Sequence, residues 1–248
     1  MLLGNRILLI IENITNFKVD KMPKFNLLES VPKIFRNIKE RKLNKDNAML
    51  IAKEFGKEYF DGDRVYGYGG YKYDGRWIPI AKKIINKYYL TSGSKVLDIG
   101  CAKGFLLQDL KNECEGLEVY GLDISEYAFS KVSDSIKDNV IIGDAKSLPY
   151  KDNFFDCTLC INVIHNLDIL GCKQAISEII RVTKNNNSFI QVDAFTNKVE
   201  EKLFLDWVLT ALTYGKPDFW LKIFDELGYK GDYYWTIIKY EKELLKDR

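Results

Sequence analysis

The chain has 248 residues, of which 46% are hydrophobic and 29% charged, with a net charge of +2. This profile suits a folded domain with a sizeable core and excludes a strong global field that would draw nucleic acid or a membrane. A single histidine, His165, excludes most multi-histidine metal sites, so no metal is expected and any imidazole chemistry falls to one residue. The five cysteines, Cys101, Cys114, Cys157, Cys160 and Cys172, suit reduced thiols in a cytoplasmic protein better than a disulfide scaffold.

Residues 1–21 carry the apolar run 7–11, closed by Glu12. The run is shorter than a secretory core or a membrane span, so an appended strand or loose extension is expected there. Residues 30–43 are expected to form an amphipathic helix, with Ser30 as N-cap, Pro32 in the first turn and Val31, Ile34, Phe35 and Ile38 at helical spacing. A second helix is expected over 46–59, where Ala48, Ile51, Ala52 and Phe55 share a face. The stretch 66–77 is rich in tyrosine and glycine and reads as a loop, followed by a helix over 77–90.

From residue 95 the rhythm becomes strand, helix, strand. Strands are expected at 95–99, 117–122, 140–142, 155–161 and 188–192, with helices at 104–112, 125–136 and 171–183. Helices over 199–212 and 217–227 then lead to a strand at 232–240. Such alternation specifies an α/β fold: a Rossmann-like, doubly wound, mostly parallel sheet with helices on both faces, here with an N-terminal helical extension. The expected division is 1–75 for the extension and 76–248 for the main domain.

Ligands of open parallel sheets bind at the carboxyl ends of the strands. The first strand ends in Asp98-Ile99-Gly100-Cys101-Ala102-Lys103-Gly104, the second in Asp123 and the third in Gly143-Asp144-Ala145. A dinucleotide would bring a pyrophosphate to the glycine turn and favour a third glycine, where this chain has Phe105. S-adenosylmethionine brings an ammonium and a sulfonium, for which Asp98, Asp123 and Asp144 at successive strand ends are attractive.

On these residues the run 90–195 resembles the class I S-adenosylmethionine-dependent methyltransferases, of the small-molecule type. VLDIGCAKG is similar to the family's first motif, GLDIS to its second, GDAKSLPY to its third, FFDCTLCINVIHNL to its fourth and EIIRVTKNNNSFIQV to its fifth. The resemblance implies a methyltransferase with S-adenosyl-L-methionine as cofactor. It implies that Gly100, Cys101 and Ala102 pass around the methionine moiety ahead of Gly104, and that Asp98 orients that turn and the ammonium end. It further implies Asp123 on the ribose hydroxyls, Ile124 on the adenine face, Asp144 and Ala145 at the adenine edge, and Asn162 near the reactive methyl. One departure is Ala102, which replaces the middle glycine of Gly-x-Gly-x-Gly and is tolerable at negative φ.

His165 follows the fourth strand on the acceptor side, where it is a candidate general base, or else a loop histidine that packs or caps. Tyr68, Tyr71, Tyr73 and Trp77 form either a lid or a packing segment; Tyr68 and Tyr71 are candidate acceptor contacts. Arg76 is a candidate for holding a carboxylate or phosphate, and Asp193 for completing the pocket with Trp207 and Trp220 nearby, although those tryptophans read first as core. Cys157 and Cys160 have CxxC spacing in a strand and would face opposite sides. The basic run from Lys33 to Lys45 reads as a solvated helix face.

The expected reaction is methyl transfer to oxygen or nitrogen of a small metabolite, such as a sugar or glycan precursor. The expected partner is that small-molecule acceptor, with no membrane and no nucleic acid, and the N-terminal helices could serve a homodimer. The alternatives are an RNA or protein methyltransferase, then a nicotinamide-dependent oxidoreductase or a non-catalytic nucleotide-binding protein.

Overall fold

Apolar runs of three to six residues, too short for helices, form the six strands β1 (Lys95–Ile99), β2 (Glu118–Asp123), β3 (Val140–Ile142), β4 (Cys157–Ile161), β5 (Ser188–Asp193) and β6 (Asp232–Thr236). In the computed structural model, which describes residues 23–32 and 36–239, they pair in the order β3-β2-β1-β4-β5-β6. Every pair of neighbours is parallel, so among the described residues the sheet is wholly rather than mostly parallel. The order reverses between β1 and β4, which opens a crevice beyond their carboxyl ends.

The helices are α1 (Ile38–Leu43), α2 (Lys45–Lys53), α3 (Lys57–Asp61), α4 (Ile78–Lys87), α5 (Phe105–Glu113), α6 (Glu126–Phe129), α7 (Asp134–Lys137), α8 (Ile169–Val182), α9 (Lys198–Trp207) and α10 (Pro217–Leu227). Side chains alternate along β1, so the sheet feeds two cores. Leu97 and Ile99 pack with Ile176 and Ile179 of α8 and Trp220 and Phe224 of α10. Val96 packs on the other face with Ile80 and Ile84 of α4, Leu107 and Leu110 of α5, and Leu27. Cys157 and Cys160 fall into these two different cores, as the i to i+3 spacing in a strand requires. Residues 23–25 run beside β6, with a parallel bridge from Lys24 to Tyr233.

Several helices are shorter than their periodicity predicts. The helix expected over 30–43 begins only at Ile38, where the Asn37 side chain, not Ser30, accepts from the Glu40 N–H; Ile34 and Phe35 lie outside the described residues, as do 1–21. The helix expected over 46–59 stops at Lys53, because Phe55 takes a left-handed φ of 47° and α3 starts after Gly56. The segment 125–136 splits into α6 and α7, since Ser125 and Ser133 each cap a new N-terminus. The helix expected over 199–212 ends at Trp207; beyond it, Leu212 and Thr213 donate their N–H groups to the His165 carbonyl. The last strand ends at Thr236 rather than 240.

The turn after β1 depends on positive φ. Gly100 has φ 75° and Gly104, which precedes α5, has φ 74°. A Cβ on Gly100 would overlap Val163, and one on Gly104 would sit 2.8 Å from Ile136. Gly100→Ala combines left-handed strain of about 1–2 kcal/mol with overpacking of about 1–3 kcal/mol. It is expected to lower the thermal midpoint by several degrees while Gly70→Ala, where a Cβ meets open space, costs less; equal melting shifts would count against a packed turn.

Candidate active site

A crevice open to solvent lies at the switch point. Its floor is Gly100, Ala102, Leu122, Asp123, Ile124, Gly143, Asp144, Ala145 and Asn162, and its roof is Phe55, Tyr59, Phe60 and Tyr68. Ile124 is apolar yet 58% exposed, which is the state of a side chain that offers a face to a flat ring.

The glycine turn spends four of its amides, those of Gly100, Cys101, Ala102 and Gly104, inside the protein. The N–H groups of Gly100 and Cys101 go to the Leu122 carbonyl at 2.7 and 3.2 Å, and that of Gly104 to the Cys101 carbonyl. Cys101 packs its thiol into the core and, like Gly104, is absent from the crevice wall. Ala102 takes φ 50°, not the negative φ that the sequence reading required. Two contacts hold it there. Its N–H donates to Asp123 at 2.7 Å, and its methyl packs with Phe60 and Ala128.

Asp123 also accepts from the Ser125 N–H at 2.9 Å. Burial raises its pKa, and these amide donors oppose the shift. Asp98 lies behind the turn, opposite Gly121 and Leu159 in register. It is buried, and its carboxyl is pushed up to about 8, first by burial and then by the Asp123 charge. Lys103 next to it is no counter-charge, because its ammonium is held by Asp61 at 2.6 Å and by the Tyr71 carbonyl. Asp144 faces the crevice and accepts from the Lys146 N–H. Asn162 takes a left-handed φ of 58° and is fixed by Thr236, which donates to its side-chain oxygen at 3.0 Å and accepts from Gln191.

His165 sits outside the crevice wall. It is buried on the turn Ile164–Asn166 behind Asn162. Its Nδ1 accepts from the Asp193 N–H at 3.2 Å, and its Nε2 lies 3.5 Å from the Asp193 carboxylate. The lone pair on Nδ1 is therefore engaged and the proton sits on Nε2, so the imidazole holds Asp193 in place and has no free lone pair for an acceptor. Burial lowers its pKa, with Asp193 opposing.

The loop 66–77 is pinned to α3. The N–H of Tyr68 goes to the Tyr59 carbonyl, and those of Gly70 and Tyr71 to Phe60. Tyr68 stacks on Phe60 at 5.7 Å and stays 43% exposed along the crevice. Tyr71 stacks instead on Phe105 at 5.0 Å, away from the crevice. Arg76 is clasped by Asp74 with both Nε and Nη2, so its guanidinium is already used locally. Trp220 is core and donates to the Asp193 carbonyl at 3.1 Å. The roof residues Phe55, Tyr59 and Phe60 were not foreseen; the signal was an aromatic cluster in what reads as one continuous helix. Among the described residues no group of three or more potential metal ligands occurs.

The chemistry of this crevice separates two cofactors that share the strand order. A pyrophosphate would be repelled by the buried carboxylates of Asp123, in the crevice wall, and Asp98, behind it, whereas a cationic group would be favoured by both. Residues 97–190 match the family model described as a methyltransferase domain. They form a class I methyltransferase domain. An Arabidopsis thaliana protein described as a tRNA (carboxymethyluridine(34)-5-O)-methyltransferase is 33% identical over 127 residues, 50% of this chain and 30% of that protein. An uncharacterized protein of Methanocaldococcus jannaschii is 32% identical over 127 residues, 50% of this chain and 52% of that protein. The chain thus spans about a third to a half of the length of these relatives. A solved S-adenosylmethionine-dependent methyltransferase from Archaeoglobus fulgidus is 24% identical, covers 69% of this chain and 72% of its own, and has a TM-score of 0.48.

S-adenosylmethionine is the cofactor of this domain family, and the crevice fits it. Asp98, buried without a cationic partner, lies behind the crevice wall rather than in it and favours the ammonium by its charge; Asp123 and Asp144 suit hydroxyl and amino donors; Ile124 suits the adenine face.

A single histidine makes the protonation state of the site directly readable by NMR. Burial predicts a midpoint below the ordinary ~6.5 and the proton on Nε2. Because the folded value is depressed, stability is lost as pH falls below ~6.5 toward that value. A midpoint above 7, or the proton on Nδ1, would contradict the placement of His165.

Proposed function

We propose that the chain transfers the methyl group of S-adenosylmethionine to an oxygen or nitrogen of a small acceptor. The observation that carries this reading is the crevice at the strand ends, where the buried acid Asp123, Asp144 and the exposed face of Ile124 meet, with the unpaired acid Asp98 behind the glycine turn. The cofactor supplies an electrophilic methyl on a sulfonium.

The chain's own part is binding, orientation and exclusion of water. Asp98 and the turn receive the amino-acid end. Ile124, Asp144 and Ala145 receive the adenine end, and Asp123 the part between. Phe60 and Tyr68 cover the crevice, and aromatic faces favour a cation beneath them. Asn162, locked by Thr236, offers its side-chain amide at the point where β4 ends. His165 acts as a positioning residue that orients Asp193. An acceptor that arrives deprotonated, or an amine already neutral, needs no base from the chain.

The enclosed roof supports a small acceptor. A second reading, an RNA nucleoside as acceptor, is favoured by the likeness to the Arabidopsis protein. The test is an assay with methyl-labelled S-adenosylmethionine against a low-mass metabolite extract and, separately, against tRNA. Label in the low-mass fraction is expected. Label in tRNA alone would overturn the small acceptor, and absence of S-adenosylmethionine binding would overturn the methyltransferase reading.

A further inference from the structure

Beside the crevice, one tryptophan collects three arginines. Trp207 closes α9, and the guanidinium carbons of Arg41, Arg64 and Arg36 lie 3.5, 5.1 and 5.8 Å from its ring centroid. They come from α1, from the loop after α3 and from the residue just ahead of Asn37, so distant parts of the chain converge here. Arg41 is buried and donates to the carbonyls of Trp207, Arg64 and Gly67. Arg64 donates to the carbonyls of Gly67 and Tyr68. Through these bonds Arg41 and Arg64 clasp the loop that carries Tyr68, which lines the crevice.

The cluster is short of negative charge. The Nε atoms of Arg36, Arg41 and Arg64 are all buried without a hydrogen-bond partner. Lys45 adds a fourth cation nearby, bonded to the Val208 carbonyl. The carboxylates within reach are few. Asp193 is felt by Arg36 and Asp63 by Arg41, while Asp206 is paired with Lys42 at 3.0 Å. Burial lowers Arg36 and Arg64 and brings Arg41 down to about 9, the direction expected when buried cations lack an anion. Peptide carbonyls alone are a weak answer to several buried guanidinium groups. The run that supplies Arg36, Arg41 and Lys45 reads in sequence as a solvated helix face, and the structure turns part of it inward.

We propose that the arginines around Trp207 form an anion subsite that anchors a carboxylate or phosphate of the acceptor while its nucleophile lies in the crevice. This rests on the methyltransferase reading of the crevice and deepens it. Guanidinium groups match such anions with paired N–H donors, and Arg36, with no side-chain bond to hold it elsewhere among the described residues, supplies the free fork. Asp193 lies between this subsite and His165, which explains why a half-buried acid is kept in place there: it balances part of the charge when the anion is away.

The test uses the full chain saturated with S-adenosylhomocysteine. Sodium phosphate and sodium acetate are titrated separately at constant ionic strength and followed by calorimetry and indole fluorescence. One of the two anions is expected to bind, which identifies its class, and Arg36→Gln is expected to weaken it at least tenfold. Arg36→Lys should recover part of the affinity, and both variants should keep the S-adenosylhomocysteine affinity. Arg64→Gln, checked by thermal melting because it also clasps the loop, should weaken the anion in parallel. Binding of neither anion, or equal binding by Arg36→Gln, overturns the subsite while leaving the cofactor reading intact. Binding of tRNA but of neither small anion also overturns it, in favour of a nucleic-acid surface. If S-adenosylhomocysteine itself does not bind, the methyltransferase reading fails and the subsite with it.

Discussion

Two buried carboxylates near the carboxyl ends of adjacent strands govern this site. Asp98 and Asp123 follow from parallel β1 and β2, whose register brings their carboxyl ends together. The two acids are treated differently. Asp123 accepts two backbone N–H groups and thereby ties the glycine turn to the loop after β2. Asp98 is left without a cation, and its carboxyl rises to about 8. Burial makes its ionisation unfavourable at pH 7, a cost that a bound ammonium would offset and a phosphate would aggravate. The same strand order in a nicotinamide enzyme would call for the opposite electrostatics.

The N-terminal segment completes the crevice through contacts to that turn. Lys103, two residues before the start of α5, reaches Asp61, and Tyr127 donates to the same carboxylate. Phe60 packs on the methyl of Ala102, and Ser125 donates to the Phe55 carbonyl. The replacement of glycine by Ala102 therefore has a physical use: the methyl that strains the turn also gives the roof a place to dock. Roof and floor are joined by an ion pair, an apolar contact and a hydrogen bond, so the segment 55–71 is built onto the crevice and is more than a loose covering. Among the described residues no helix is long and apolar enough to cross a membrane.

Strands and the floor of the site were legible because short buried runs and strand-end acids are local signals. β1 and α10 have the bounds their patterns predict, and Gly100, Asp123, Ile124, Asp144 and Asn162 share one crevice. Legibility ended where the outcome depends on distant partners. His165 follows the right strand, yet the Asp193 amide claims its lone pair. Arg76 lies in the right loop, yet Asp74 two residues away captures it. The break at Phe55 comes from the roof docking on Ser125, which periodicity over 46–59 does not contain. The arginines around Trp207 come from three separate segments, and no one of those segments alone announces their meeting.

The central claim is that Asp98 selects a cationic cofactor. Its most direct measurement is the dissociation constant of S-adenosylmethionine between pH 6 and 8 for the natural chain and for Asp98→Asn. The carboxyl must ionise to favour the ammonium, so the natural chain should bind more tightly as pH rises, with the gain levelling off toward about 8, and the variant should bind weakly with a flatter profile. A flat profile in the natural chain, or equal affinity and slope in Asp98→Asn, would contradict the claim.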